Sequence, residues 1–146
     1  MEDTRLKLIT DGEWAGWSVW TGGDPFEDHA GPFYFRQDAD GTARCAMRCE
    51  TYHLNGSGYM HGGAIMTFAD YSLFMIARDA LADERGVTAT LNGEFIGAVS
   101  PDALVECTGE VVKAGRSLIF LRGLITTGGE PVMTFSGVIK KLGPRR

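Results

Sequence analysis

The sequence has few cysteines, no excess of basic charge and no hydrophobic run long enough to span a membrane. Its three cysteines are an odd number, and the first residues, MEDTRLKLITDGEW, lack the apolar segment of a secretory signal. We therefore expect reduced thiols and a cytoplasmic location. The nearly apolar stretch 62–77 falls short of the roughly 20 residues of a membrane-spanning helix. A net charge of −5 argues against a nucleic-acid partner.

The chain length fits a single domain. Its 146 residues can bury a real core, and no repeat, low-complexity tract or linker divides residues 1–146. Residues 1–25 contain three tryptophans ahead of a stretch rich in glycine and proline. We predict that they form an N-terminal extension, a short helix or turn followed by a loop, which packs on the domain.

The order of the predicted elements favours an α+β fold. Two β-prone segments flank the sequence DADG, which predicts a hairpin. A helix is predicted from Gly62 to near Asp83, with Gly86 as its C-cap. Because this helix is apolar all round, it must be buried, and we expect a curved antiparallel sheet to wrap around it. The remaining strands are predicted at 87–99, 104–113, 117–126 and 131–141.

The sequence CAMRCETYH places Cys45, Cys49 and His53 near one another, as in some zinc sites. In a strand, residues four apart lie roughly 13 Å from each other, whereas zinc–sulfur bonds are about 2.3 Å long. We therefore interpret these cysteines as small strand hydrophobes. We expect neither a metal nor a redox cofactor.

Two features of the apolar helix point to chemistry. The sequence HGGA puts Gly62 and Gly63 in the first turn, where backbone N–H groups have no intrahelical partner and the helix dipole is positive. Such a terminus can bind an oxyanion or a polarised carbonyl. Asp70 lies among apolar neighbours, a poor setting for an unpaired carboxylate. It is either a general base or nucleophile, or a structural residue that pairs with Arg78 or with a backbone group.

The distance between these features predicts how they can cooperate. Gly62 and Asp70 are eight residues apart, which is roughly 12 Å along one helix. One thioester or ester carbonyl held at Gly62 is therefore beyond the reach of Asp70 in the same chain. If both groups act on one substrate, they come from two chains whose helices run antiparallel about a two-fold axis.

The stretch HLNGSGYMHGGAIMTFADYSLFMIA resembles the signature of the PaaI-type acyl-CoA thioesterases of the hot-dog superfamily. The shared spacings are Asn-x5-His-Gly-Gly and His-x8-Asp, which involve Asn55, His61 and Asp70. The resemblance extends over residues 26–142 and includes GVTATLNGEF and GRSLIF. It implies a hot-dog fold and hydrolysis of acyl-CoA to a free acid and coenzyme A.

The resemblance also implies roles for individual residues. The N–H of Gly62 would polarise the thioester carbonyl, and Asn55 would orient that part of the site. Asp70 of the partner chain would activate water or attack directly, and Thr88 would hold the attacking water or serve only as a strand residue. His61 is expected to shape the loop more than to transfer a proton. Substrate-binding candidates are Gly63 at the helix start, Tyr71 and Phe74 at the acyl pocket, and Arg116, with Lys113, for the phosphates of coenzyme A.

The distance between Gly62 and Asp70 predicts a homodimer, which we expect to form a dimer of dimers, and the resemblance implies an acyl-CoA substrate. We expect no nucleic acid and no membrane partner. Two other functions stay open. Hot-dog folds also carry hydratases and dehydratases that act on CoA thioesters, although the His-Gly-Gly…Asp spacing favours hydrolysis. The chain could also be a binding module for acyl-CoA without catalysis, because a fold does not determine a function.

Overall fold

One antiparallel sheet of eight strands packs against a central helix in this computed structural model, which describes residues 5–144. The strand order is β1-β2-β3-β4-β6-β7-β8-β5. The strands are β1 (Leu6–Leu8), β2 (Ser18–Trp20), β3 (Tyr34–Gln37), β4 (Ala43–Arg48), β5 (Glu84–Phe95), β6 (Leu104–Ala114), β7 (Leu118–Thr127) and β8 (Glu130–Pro144). The helices are α1 (Pro25–Ala30), α2 (Gly62–Ile76) and α3 (Arg78–Leu81), with a short 3₁₀ turn at Thr51–His53.

The sheet confirms the predicted α+β hot-dog architecture. The strands β3 and β4 form the hairpin expected around DADG, and β6, β7 and β8 pair in succession as an antiparallel meander. The helix α2 packs against β4, β5, β6, β7 and β8, and its side chains Phe68 and Leu73 are fully buried. The strand β5 pairs with β8 and lies at one edge of the sheet.

The predicted helix is shorter in the structure and its C-cap is a different residue. Helix α2 ends at Ile76, α3 follows, and Ala82 ends α3 with a φ of 51°. Gly86, the predicted C-cap, lies in β5. A Cβ at Gly86 would come within 2.7 Å of Ile139 Cγ2, so this glycine allows close packing and does not end a helix.

The N-terminal segment differs in part from its prediction. A turn is present at residues 13–16, as expected, but the strands β1 and β2 on either side of it were not predicted; they pair with each other, and β2 pairs with β3. The predicted loop after them contains α1, which begins with Asp24 as N-cap and Pro25 at the first position. Trp14 stacks on Tyr34 with ring centroids 3.8 Å apart. The strand β1 depends on pairing with β2, and β2 on pairing with β3, which local sequence does not reveal.

The three cysteines are free and buried. Cys45 of β4 lies opposite Cys107 of β6. Burial raises the pKa of Cys45 well above its ordinary value and that of Cys107 to about 12, so both thiols stay protonated at neutral pH. Among residues 5–144, no helix is long and apolar enough to cross a membrane.

Candidate active site

His61 is the N-cap of α2 and organises its first turn. Its Nδ1 accepts a hydrogen bond of 2.8 Å from the N–H of Gly63. A Cβ at Gly63 would lie 3.0 Å from this nitrogen, so glycine permits the contact. Because Nδ1 accepts, the proton of the neutral ring is assigned to Nε2. The ring is thus engaged in shaping the helix start.

The backbone N–H of Gly62 is the open donor at this end of α2. The N–H groups of Ala64 and Ile65 both donate to the His61 carbonyl, at 2.9 and 3.1 Å. Within residues 5–144 no acceptor is found for the Gly62 N–H. The ring of Phe95, from β5, lies 3.4 Å from the position of a Cβ on Gly62. A carbonyl oxygen from outside the chain can therefore use this donor.

Asn55 folds the glycine-rich loop that leads into α2. Its Oδ1 accepts from the N–H of Ser57 at 2.9 Å and from that of Tyr59 at 3.2 Å. The loop closes through the bridge between Leu54 and Met60. Asn55 therefore fixes the approach to the Gly62 N–H through the shape of the loop.

Asp70 has a defined partner in the middle of α2. The hydroxyl of Thr88 donates a hydrogen bond of 2.6 Å to its Oδ1. Thr88 lies where the pairing of β5 with β8 shifts register, and such irregularities can re-aim a side chain. The alternative partner, Arg78, instead places its guanidinium 5.0 Å from the centre of the Phe35 ring. Among the ion pairs of residues 5–144 there is none between Asp70 and Arg78.

Asp70 and Thr88 line a cavity of about 1170 Å³. Tyr71 and Phe74, the two residues predicted to lie at an acyl pocket, line the same cavity. Tyr71 is nevertheless mainly a core residue, because it is 2% exposed and its ring packs 5.0 Å from that of Phe33. Burial raises its pKa well above the ordinary value.

The remaining predicted residues lie away from this cavity. Gly62, Gly63, His61 and Asn55 are at the start of α2, and Gly62 is roughly 12 Å along the helix axis from Asp70. Lys113 and Arg116 are exposed at the end of β6 and in the turn after it, and neither lines the cavity. One chain therefore holds two separate groups, the Asp70 carboxylate with the Thr88 hydroxyl and a helix terminus whose Gly62 N–H has no acceptor within residues 5–144.

Glu27 is a cavity residue that sequence reasoning missed. It lies in α1, and the N–H of Glu27 donates to Asp24 Oδ1 at 3.1 Å. Burial, and then the negative charges of Asp24, Asp70 and Asp28, raise its pKa to about 7. The sequence did carry a signal, because Asp-Pro followed by an acidic residue is typical of a helix N-terminus. Its proximity to Asp70 comes from tertiary packing.

Comparisons with known proteins show the family to which this chain belongs. The family model described as "Thioesterase superfamily" matches residues 57–134, which include both Gly62 and Asp70. The curated protein "Putative esterase PA0474" from Pseudomonas aeruginosa is 32% identical over 115 residues, which cover 78% of this chain and 86% of that protein. The chain therefore belongs to the thioesterase superfamily.

Solved structures agree on the fold and confirm the resemblance to PaaI proteins. The Escherichia coli PaaI protein from the phenylacetic acid degradation operon aligns with a TM-score of 0.73 at 18% identity, over 84% of this chain and 87% of that one. The TT0310 protein from Thermus thermophilus aligns with a TM-score of 0.71 at 25% identity, over 82% of this chain and 99% of that one. A hypothetical thioesterase with coenzyme A from Streptococcus pneumoniae aligns with a TM-score of 0.69 at 23% identity, over 78% of this chain and 91% of that one.

Proposed function

We propose that the protein hydrolyses acyl-CoA thioesters at two composite sites of a homodimer. The observation that carries the proposal is the separation of two complementary half-sites on one helix. Asp70, held by Thr88 at 2.6 Å, lies in a cavity, and the open N–H of Gly62 is roughly 12 Å further along α2. A site that needs both groups requires a second copy of the chain.

The edge strand β5 supports this assembly. It is 12 residues long, and within the described part of the chain it pairs only with β8, so its other edge is unpaired. Val87 and Phe95 of β5 and the following Ile96 are 47%, 55% and 54% exposed. A long apolar edge favours pairing with another chain. Antiparallel pairing of β5 with its copy would set the two α2 helices side by side, each N-terminus near the middle of the other. We further propose that two such dimers form a tetramer.

The proposed reaction uses both half-sites in turn. The partner's Gly62 N–H binds the thioester carbonyl oxygen, and the positive end of the helix dipole stabilises the developing oxyanion. Thr88 donates to Oδ1 of Asp70 and orients the carboxylate, whose Oδ2 has no donor within residues 5–144 and accepts a proton from water in the proposed step. The water oxygen attacks the carbonyl carbon, and the C–S bond breaks as the tetrahedral intermediate collapses. The thiolate of coenzyme A leaves and takes up a proton.

The test is release of free thiol from aryl-, short-, medium- and long-chain acyl-CoAs. We expect release from at least one class, and we expect Asp70→Asn to bind that acyl-CoA while losing at least ~100-fold in kcat. Binding is measured by calorimetry with the same substrate. Hydration of enoyl-CoA without thiol release from a saturated acyl-CoA would instead indicate a hydratase. Binding without any turnover by the unaltered protein would indicate a non-catalytic module.

A further inference from the structure

Glu27 is held in place beside the proposed base. Its helix α1 packs against α2. The start of α1 is fixed by the Asp24 cap, and its end is fixed by contacts from His53 Nε2 to the Ala30 carbonyl and from the Tyr52 hydroxyl to the Gly31 carbonyl. Glu27 is therefore part of a rigid wall of the cavity that also contains Asp70 and Thr88.

The carboxyl group of Glu27 has no hydrogen bond or ion pair within residues 5–144. A half-buried carboxylate without a partner costs free energy, so its presence in the cavity calls for a reason. The guanidinium of Arg78 lies over the Phe35 ring, and the charge of Asp28 is on the same helix as Glu27. The other charged residues that line the cavity are Arg5, Asp24, Arg78, Asp79, Asp83 and Arg85.

The electrostatic balance around Glu27 is negative despite these arginines. Burial is the largest cause of its raised pKa of about 7, and the charges that add to it are all carboxylates, namely Asp24, Asp70 and Asp28. The charge of Asp70 therefore acts on Glu27 through the cavity, although the two residues are far apart in the sequence. At neutral pH the Glu27 side chain is poised between its two protonation states.

We propose that Glu27 is a positioning residue that acts through Asp70, and that its ionised carboxylate favours transfer of the water proton to Asp70. This inference rests on the proposed function. In the hydrolytic step, a proton moves from water to Asp70, and negative charge moves from Asp70 to the carbonyl oxygen at the partner's Gly62. Glu27 neither gives nor takes this proton. The ionised Glu27 carboxylate repels negative charge on Asp70 more strongly than negative charge on the more distant carbonyl oxygen. It therefore lowers the energy barrier to the hydrolytic step.

The test compares pH profiles of kcat and KM between pH 5.5 and 9 for the unaltered enzyme, Glu27→Gln and Asp28→Asn. Asp28 is the matched control, because it is on the same helix, is exposed and does not line the cavity. We expect kcat of the unaltered enzyme to rise about fivefold through pH 7. Glu27→Gln should lack this rise at unchanged KM. Asp28→Asn should keep the rise, with its midpoint at a slightly lower pH, because the Asp28 charge is the smallest contributor to the raised pKa of Glu27. A Glu27→Gln profile with the same rise would overturn the inference.

A second measurement does not depend on activity. Carbon-13 NMR of the carboxyl groups can follow the titration of Glu27 in the unaltered protein and in Asp70→Asn. We expect the apparent pKa of Glu27 to fall by about half a unit when the charge of Asp70 is removed. An unchanged Glu27 titration would overturn the coupling. A protein that releases no thiol from any acyl-CoA would refute the proposed function, and the titration would still decide the coupling.

Discussion

The hydroxyl of Thr88 donates a 2.6 Å hydrogen bond to Oδ1 of Asp70 and so joins the edge strand β5 to the middle of α2. A short bond to a charged acceptor is a strong one, and it restricts the rotation of the carboxylate. Because β5 is also the strand proposed to pair with a second chain, this bond links the orientation of the proposed base to the proposed dimer interface. In the proposed dimer, the geometry of Asp70 thus depends on the edge strand that would complete the site.

We predict that Thr88→Ala lowers kcat by ~10- to 100-fold, because Asp70 loses the donor that orients it. KM should change much less, since Thr88 is not expected to bind the substrate. Thr88→Ser keeps a hydroxyl at the same position and is the matched control. Steady-state thiol release measures kcat of both variants. Equal losses of kcat in the two variants would mean that the rate depends on the threonine methyl group and not on the hydrogen bond.

His61→Ala should destabilise the protein by about 1 kcal/mol, because the N–H of Gly63 loses its acceptor at the start of α2. Asn is a good N-cap residue, so His61→Asn should recover most of this stability and most of the activity. Urea unfolding and thiol release are measured on the same preparations. If His61→Asn folded as stably as the unaltered protein but lost activity as completely as Asp70→Asn, His61 would be a proton-transfer residue.

Glu27 makes folding stability depend on pH in a predictable direction. Its pKa rises from an ordinary value of 4.5 to about 7 in the folded protein. Below pH 4.5 Glu27 is protonated in both the folded and the unfolded protein, so it does not lower the free energy of unfolding. As pH rises from 4.5 to about 7, the unfolded chain loses the proton while the folded chain keeps it, so stability is lost; above about 7 both states are ionised and the loss levels off. Glu27→Gln should therefore gain stability relative to the unaltered protein as pH rises from 4.5 to 8.

Because Glu27 is only half-buried, solvent screening reduces this gain to about 1–2 kcal/mol at pH 8. Urea unfolding at pH 4.5, 6 and 8 measures it, with Asp28→Asn as the control on the same helix. A difference between Glu27→Gln and the unaltered protein that grew toward low pH would have the wrong sign and would contradict the account.

Arg116→Ala tests the proposed contact with coenzyme A. The side chain is exposed in the turn between β6 and β7 and does not line the Asp70 cavity. If it binds a phosphate, KM for acyl-CoA should rise about three- to tenfold and kcat should stay constant. KM for the corresponding pantetheine thioester without the nucleotide should not change. A rise of the same size for both substrates would argue against phosphate binding.

The parts of the site that could be predicted are those that one element determines by itself. Helix geometry alone places Gly62 and Asp70 roughly 12 Å apart, and the sequence HGG indicates where the donors are. The hairpin and the meander follow from β-prone segments of regular length between turn residues. These features need no knowledge of distant contacts.

The parts that could not be predicted depend on tertiary packing. Glu27 reaches the Asp70 cavity because α1 packs on α2, and a short helix gains little stability of its own. Likewise Gly86 has the sequence context of a helix C-cap. In the structure it lies in β5, where the absence of a side chain allows the strand to pack closely against Ile139. The three-residue strands β1 and β2 exist because neighbouring strands pair with them.

In the composite site proposed above, Asp70 of one chain works with the Gly62 N–H of the other chain. Gly62→Pro removes that donor at a helix position where proline is favoured, and Gly62→Ala, which keeps the N–H, controls for crowding against Phe95. Asp70→Asn and Gly62→Pro should each be inactive as homodimers. Their folding is checked beforehand by circular dichroism and by gel filtration.

The most direct measurement is thiol release after the two inactive variants are mixed in equal amounts, dissociated and reassociated. Half of the dimers are then mixed, and each has one intact site of two, so the account predicts recovery of about a quarter of the unaltered activity. Gel filtration and mass spectrometry must show that mixed dimers have formed. No recovery in the presence of mixed dimers would contradict the composite site.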